Sequence, residues 1–73
     1  MNKNNSVEIA YQNAKDLIDK KDYITASEQL NEILKVFPNE LNSIYLLIDC
    51  YIKLSNPLKA LEFTHLALNV KNN

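Results

Sequence analysis

The sequence predicts an all-α protein of four helices, arranged as two stacked antiparallel helix-turn-helix hairpins. The first observation is the segment from Asp22 to Asn39, in which apolar residues recur at spacings of three and four and so share one helix face. The second is that this pattern returns, with substitutions, 34 residues later. The third is that only short turns separate the helical segments, which makes sequential helices antiparallel neighbours.

A period of 34 residues relates the two halves of the chain, since Ala26 recurs as Ala60 and 60 − 26 = 34. Such a period is typical of helical-hairpin repeats. We therefore predict a single domain, residues 1–73, with repeat one at about 7–40 and repeat two at about 41–73. The matched pairs concentrate on apolar and small positions: Tyr11 and Tyr45, Ile18 and Ile52, Ala26 and Ala60, Leu34 and Leu68, and Val36 and Val70.

Start and stop signals place the first hairpin. Helix one is expected to begin at Asn5, which forms a capping-box pattern with Glu8, or at Ser6, and to run to about residue 20. Helix two is expected to follow Asp22, whose carboxylate can cap free backbone N–H groups. Pro38 excludes the helical conformation from the residue before it, so helix two should end near residue 37.

The second hairpin follows directly. Asn39 is a candidate cap for helix three, which is expected to span about Glu40 to Leu54. Because this helix is apolar nearly all round, we expect it to be enclosed on several sides. Asn56 lies in the next turn, and Pro57 takes the first position of helix four, where its missing N–H costs little. Helix four should continue to about residue 70.

Composition excludes several classes of function. The net charge is −1 and all eight basic residues are Lys, so we predict binding to neither nucleic acid nor a membrane surface. The chain contains no Gly, which removes phosphate-cradling loops and dinucleotide motifs. No apolar run reaches membrane-spanning length. A single Cys fits a reducing compartment, so a cytoplasmic location is expected.

No set of residues indicates an enzyme, a metal site or a cofactor site. His65 is a possible general base, but the pattern places no Ser or Cys nucleophile beside it, and a surface position is the simpler interpretation. Cys50 is interpreted as a small core residue. The carboxylates show no metal-ligand spacing and fit solvated helix faces. We therefore predict no catalytic residues, no metal and no cofactor.

The repeat unit resembles the tetratricopeptide repeat (TPR), a 34-residue helix-turn-helix family, over nearly the whole chain from Val7 onwards. Departures are Ala10 and Ile44 where the family usually has Trp, and Thr64 where an aromatic residue is common. In the family, the small residue at Ala26 and Ala60 lets the helices of a hairpin approach closely. The matching positions are Ala14, Leu17, Asp22, Tyr23, Ala26, Leu30, Leu34 and Pro38 in the first unit, and Leu47, Tyr51, Ala60, Leu61, Ala67 and Leu68 in the second.

The resemblance implies a concave face, lined by the first helix of each hairpin, that binds a peptide or a helix. The chaperone-binding members clamp a C-terminal carboxylate with Lys and Asn at positions held here by Tyr11 and Lys15; this clamp is not matched, so that role is not implied. For Tyr45, packing between helices is the simpler interpretation. The candidate concave-face residues are Tyr11, Lys15, Asn42, Tyr45, Asp49 and Ile52.

The two ends of the predicted stack differ in polarity. The outward side of helix one carries Ile9, Asn13 and Asp16 and resembles a polar cap. The outward side of helix four is apolar, and two repeats are fewer than the three or so that such stacks need. A second copy, joined two-fold as a homodimer, or a longer parent chain could cover it. The predicted self-association residues are Leu61, Thr64, His65 and Leu68.

These observations predict a non-enzymatic protein–protein interaction module that binds a peptide or helix and self-associates through helix four. Two alternatives stay open. One is a small TPR-type chaperone that holds an unfolded or secreted client. The other is a purely structural oligomerisation piece with no peptide ligand.

Overall fold

The computed structural model describes residues 3–72, with side chains described from Ser6 onwards. It consists of four α-helices: α1 (Lys3–Asp19), α2 (Tyr23–Val36), α3 (Leu41–Lys53) and α4 (Pro57–Asn72). No strand occurs among these residues. Helices α1 and α2 pack as one hairpin, α3 and α4 pack as a second, and α3 lies against α2 and, over fewer residues, α1. The predicted all-α class and hairpin arrangement are confirmed.

The turns inside the two hairpins have the same geometry at the 34-residue offset. In the first, Lys21 has a positive φ of 65°, its N–H donates to Ile18 O at 2.8 Å, and the N–H of Asp22 donates to Leu17 O at 2.9 Å. In the second turn, Ser55 has a φ of 57°. The matching bonds run from Ser55 to Ile52 at 3.0 Å and from Asn56 to Tyr51 at 2.8 Å. Both are Schellman-type helix ends, and they show that the sequence period is also a structural period.

Local signals set three of the helix boundaries as predicted. Asp22 accepts a hydrogen bond from the N–H of Thr25 at 3.3 Å, and Asn56 accepts one from Lys59 at 3.3 Å. Pro57 is the first residue of α4. Helix α2 ends at Val36, before Pro38, because the residue preceding a proline avoids the helical region.

Three boundary predictions are wrong. Helix α1 already includes Lys3, so Asn5 and Ser6 lie inside it and cannot be its N-cap. The cap of α3 is Glu40, whose carboxylate accepts from the N–H and the hydroxyl of Ser43, both at 2.9 Å; Asn39 does not cap the helix. Glutamate can act as the cap because its longer side chain folds back and accepts hydrogen bonds from two donors of one residue, Ser43. Helix α4 continues to Asn72, beyond the predicted end.

The core lies between α2 and its two neighbours. Ala14, Ala26 and Leu30 are completely buried, as are Leu47 and Cys50 from α3. Ala26 and its repeat equivalent Ala60 are both buried, which fits the predicted close approach of helices at these positions. Burial of a leucine side chain contributes about 1.5–3 kcal/mol, so this small cluster supplies a large part of the stability. The molecule is a flat slab of 37 × 34 × 15 Å.

Helix α3 is less enclosed than its composition predicts. One side is completely buried and carries Ser43, Ile44, Leu47 and Cys50. The opposite side is open, with Tyr45 and Ile52 exposed. The helices that pack against α3 leave this side uncovered, so an apolar helix keeps a bare face.

Candidate functional site

Helix α4 carries apolar residues on two sides and buries only one. Ala60, Phe63 and Ala67 face α3 and are buried or half-buried. On the other side, Leu58 is 78% exposed and Leu61 and Leu68 are each 54% exposed. With the exposed His65 they form what we call the α4 outer face: Leu58, Leu61, His65 and Leu68. Their spacing of three, four and three residues gives one continuous stripe.

The structure changes the membership of the predicted self-association set. Leu61, His65 and Leu68 share the α4 outer face. Thr64 is half-buried and its hydroxyl donates to the carbonyl of Ala60 at 2.8 Å, so it lies at the edge of the stripe. Sequence reasoning missed Leu58. The same three-and-four spacing, continued one turn towards the N-terminus, would have found it.

The repeat-equivalent surface of α2 is covered. We define the α2 forward face as Ser27, Asn31 and Leu34, which correspond to Leu61, His65 and Leu68 at the 34-residue offset. Ser27 is only 7% exposed, and Asn31 and Leu34 are half-buried. This face lies against the second hairpin. The α2 forward face is therefore the covered counterpart, within the same molecule, of the α4 outer face.

A polar contact and a stacked ring pair join the α2 forward face to the second hairpin. The amide of Asn31 donates to the hydroxyl of Tyr51 at 3.2 Å and to the carbonyl of Ser27 at 3.0 Å. The ring of Tyr51 stacks on Phe63 of α4, with 5.6 Å between centroids. Among the described side chains, no buried polar atom is left without a hydrogen-bond partner.

The predicted concave-face residues fall on the sides of α1 and α3 that α2 does not cover. Tyr11 is half-buried, and the ammonium of Lys15 lies 5.7 Å from the centre of its ring. Asn42, Tyr45, Asp49 and Ile52 are all exposed and follow one stripe along α3. Tyr45 is 42% exposed, so its ring is available to a ligand rather than enclosed between helices.

A small cavity brings part of this set together. It measures about 270 Å³ between α1 and α3 and is lined by Val7, Glu8, Tyr11, Glu40 and Asn42. Burial, and next the nearby carboxylate of Glu40, raise the pKa of the Tyr11 phenol, so it remains a neutral hydrogen-bonding group near pH 7. Of the predicted residues, only Tyr11 and Asn42 line this cavity.

A second cleft, which sequence reasoning missed, opens on the outward side of the first hairpin. Its volume is about 420 Å³ and most of its lining is apolar. The cleft forms because a small residue, Ala10, and a polar residue, Gln29, stand where the second hairpin has Ile44 and Phe63. The lining comprises Ser6, Val7, Ala10, Gln29, Glu32, Ile33, Val36 and Phe37.

Metal binding and thiol reactivity can both be judged in the described part of the chain. No group of three or more His, Cys, Asp or Glu side chains there is placed to hold a metal ion. Cys50 is completely buried, and burial, with a smaller effect of Asp49, raises the pKa of its thiol to about 11. The thiol therefore stays protonated near neutral pH and is a poor nucleophile.

Comparison of the chain with protein-family models, curated proteins and solved structures gave no match. Within residues 3–72, no helix combines the length and the apolar content needed to cross a bilayer. The class that the fold and the surfaces define is an all-α protein of two helical hairpins with an apolar face left open at one end.

Proposed function

We propose that the chain is a non-enzymatic protein–protein interaction module, built from two TPR-like repeats, that self-associates through the α4 outer face. One observation carries the proposal. The α4 outer face exposes three leucines, and two of them, Leu61 and Leu68, stand at the repeat positions that, on α2, lie under the second hairpin. Contiguous exposed apolar surface of this kind marks interaction sites in small proteins. The unpaired Cys50 suits a reducing compartment such as the cytoplasm.

The expected affinity is moderate. A standard interface buries about 800 Å² on each partner and uses about 20–30 residues a side. A stripe of four side chains on one helix is smaller than that, so we expect a dimer with a Kd in the micromolar range. Its apolar centre and its neutral flanking pair, Lys59 and Glu62 at 3.7 Å, make the association only weakly dependent on salt.

Sedimentation between about 1 and 500 µM tests this association. The protein should shift from monomer to dimer across this range, and Leu61→Glu should weaken the dimer by at least tenfold, because it buries an unpaired carboxylate. Ile24→Glu is the matched control: Ile24 is similarly exposed but lies on α2, outside the stripe. A wild-type monomer at 500 µM, or equal effects of the two variants, would contradict the proposal.

A second candidate function is the binding of a peptide or helix along α1 and α3. It is favoured by the exposed Tyr45 and Ile52, which lie on the same side as the cavity at Tyr11. Aromatic side chains that are open to solvent are the usual anchors of such interfaces. Tyr45→Ala should reduce binding of a captured partner at least tenfold. Tyr11→Ala should reduce it too, with some loss of stability because Tyr11 is half-buried.

The two remaining alternatives make different predictions. A small chaperone would bind its client in an extended form and lose it when the α1 and α3 surface is blocked. A purely structural oligomerisation piece would self-associate but capture no partner, so Tyr45→Ala would change nothing while Leu61→Glu would still dissociate it.

A further inference from the structure

The cavity between α1 and α3 carries negative charge. It measures about 270 Å³, and two of the described residues that line it, Glu8 and Glu40, have carboxylates, while none of them is a lysine. The remaining lining residues are an aliphatic side chain, a phenol and an amide: Val7, Tyr11 and Asn42. A concave site with charge of one sign attracts a group of the opposite sign. The charge of this cavity therefore favours a cationic ligand.

The carboxylate of Glu40 acts within the cavity as well as at the start of α3. Its Oε1 accepts the two hydrogen bonds from Ser43, both at 2.9 Å. An ionised carboxylate has a second oxygen with acceptor capacity of its own. The charge of Glu40 also contributes, after burial, to the raised pKa of Tyr11. Glu40 thus combines a capping role with an electrostatic effect on the groups around the cavity.

The ring of Tyr11 is already in contact with one alkylammonium group. The Nζ of Lys15 lies 5.7 Å from the ring centre, within the distance of about 6 Å at which a cation and an aromatic face attract each other. Lysine and arginine place their hydrocarbon stems along apolar surface and keep their charged ends at polar groups. Val7 and the Tyr11 ring offer such a surface, and the two carboxylates and the Asn42 amide offer polar groups for the charged end.

An organic cation fits this donor set better than a metal ion does. Calcium takes six to eight oxygen ligands, several of them carboxylates. In the described part of the chain, no group of three or more His, Cys, Asp or Glu side chains is placed to hold a metal. Two carboxylates around a cavity of about 270 Å³ suit an ammonium or guanidinium group, which brings its own hydrogen-bond donors.

The exposed side of α3 continues from this cavity with apolar contacts. Tyr45 is 42% exposed and Ile52 is 59% exposed. At a rise of about 1.5 Å per residue they lie about 5 Å and about 15 Å beyond Asn42 along the helix. Alternate side chains of an extended peptide share one side and are about 6.6 Å apart. A basic residue in the cavity therefore brings its second and fourth neighbours close to Tyr45 and Ile52. Asp49, on the same stripe, adds a third carboxylate.

We propose that this cavity binds a lysine or arginine side chain of an extended peptide partner, whose apolar residues two and four positions away contact Tyr45 and Ile52. The proposal rests on the second candidate function, peptide binding along α1 and α3, and is independent of self-association through α4. It gives the partner a chemical class, a basic segment with alternating apolar residues. It also assigns the selection of charge to Glu8 and Glu40.

Nuclear magnetic resonance titration with three pentapeptides tests the selection of charge. The probes are acetyl-Lys-Ala-Leu-Ala-Leu-amide and its analogues with Gln or Glu in place of Lys, each also in the reverse chain order. The lysine peptide should shift the amide signals of Tyr11, Asn42, Tyr45 and Ile52. In its better chain order it should bind at least about fivefold more tightly than the Gln analogue at about 50 mM salt, and the Glu analogue should bind most weakly.

A matched pair of variants locates the effect. Glu8→Gln should lower the preference for lysine over glutamine at least about threefold and leave the affinity for the Gln analogue unchanged, because it removes charge but little volume. Glu28→Gln is the control, since Glu28 is equally an exposed glutamate but lies on α2. It should keep the full preference. Raising the salt to about 500 mM should reduce the preference in the wild type, because the charges are open to solvent.

A fourth probe separates a peptide from a small amine. Acetyl-Lys-amide has the cation but no leucines, and it should bind at least about tenfold more weakly than the lysine pentapeptide. Equal affinities of these two probes would overturn the assignment to a peptide.

The remaining outcomes separate this proposal from the function it rests on. Equal affinities of the Lys, Gln and Glu peptides, with shifts along α1 and α3, would overturn only the selection of a basic residue. Equal losses in Glu8→Gln and Glu28→Gln would do the same. Peptides that leave the signals of α1 and α3 unmoved would remove both the proposal and the second candidate function.

Discussion

The α2 forward face and the α4 outer face occupy the same positions of the repeat and have opposite character. On α2 the residues are Ser27, Asn31 and Leu34, and the second hairpin covers them. On α4 the equivalents are Leu61, His65 and Leu68, and they are open. The covered face is thus the more polar of the two, which inverts the usual relation between polarity and burial.

Hydrogen bonds explain how the covered face can be polar. The hydroxyl of Ser27 donates to the carbonyl of Ile24 at 2.7 Å, and Asn31 has two acceptors, one of them on α3. A buried polar group that is paired costs little, whereas its apolar replacement would lose the contact to Tyr51. The α4 outer face carries no such groups apart from His65, and its leucines remain more than half exposed. The difference teaches that the same helix positions carry paired polar groups where a neighbouring hairpin covers them on α2 and exposed apolar residues on α4.

Substitution by glutamate at the equivalent positions Ser27 and Leu61 should give the largest difference in the free energy of unfolding between the two faces. Ser27→Glu places a carboxylate where the side chain is 7% exposed, and we expect it to lower the free energy of unfolding by at least about 3 kcal/mol. Leu61→Glu should change it by less than about 1 kcal/mol, since the residue is 54% exposed. Urea titration at about 1 µM protein, where we expect the proposed dimer to be dissociated, measures both. Similar losses for the two variants would show that the faces are not in different environments.

Much of this architecture could be predicted from the sequence, because the period of 34 residues and the signals at Asp22 and Pro38 depend on local chemistry. The polarity of the two ends was also readable, since Asn13 and Asp16 stand where Leu47 and Cys50 recur. The cap predictions for α1 and α3 were wrong because several Asn and Glu residues lie near each helix start. Only the fold decides which carboxyl or amide reaches a free N–H.

Surfaces formed between helices were not readable from the sequence. The cleft beside Ala10 is lined by residues from both α1 and α2, and the bare side of α3 depends on which of its sides the neighbouring helices cover. The contact from Asn31 to Tyr51 joins residues 20 positions apart and leaves no periodic signal. Leu58 was missed for a simpler reason, because the stripe was followed in one direction only.

Because Cys50 is buried where α3 packs against α2, the free energy of unfolding should depend on pH. Cys50 lies in the core with Ala26 and Leu30 of α2, and burial raises its pKa from 9.0 to about 11. A thiol whose folded pKa exceeds its unfolded value stabilises the fold fully below pH 9, and this contribution is lost as the pH rises towards 11. The loss is about 3 kcal/mol at most, because each of the two pKa units corresponds to about 1.4 kcal/mol.

Urea unfolding of the wild type and of Cys50→Ala from pH 8 to pH 10.5 measures this dependence. Subtracting the variant removes the contribution of the lysines and tyrosines that titrate in the same range. A cysteine at the open position, Leu61→Cys, serves as the comparison and should add no such slope. Parallel pH profiles for the wild type and Cys50→Ala would mean that the face of α3 against α2 is wetter than its burial indicates.

The smallest expected effect concerns the turns, where the two hairpins should behave alike. Lys21 and Ser55 both have a left-handed backbone, which glycine adopts without the steric cost that a side chain imposes. Lys21→Gly and Ser55→Gly should each raise the free energy of unfolding by about 0.5–1 kcal/mol, as the helix-end motif favours glycine at this position. Thermal denaturation at low concentration measures both, with Lys20→Gly inside the same turn region as the destabilising control. Equal gains in the free energy of unfolding would mean that the two hairpins share one turn geometry and differ only in their faces. A gain in only one turn would show that the two repeats differ in their backbone as well.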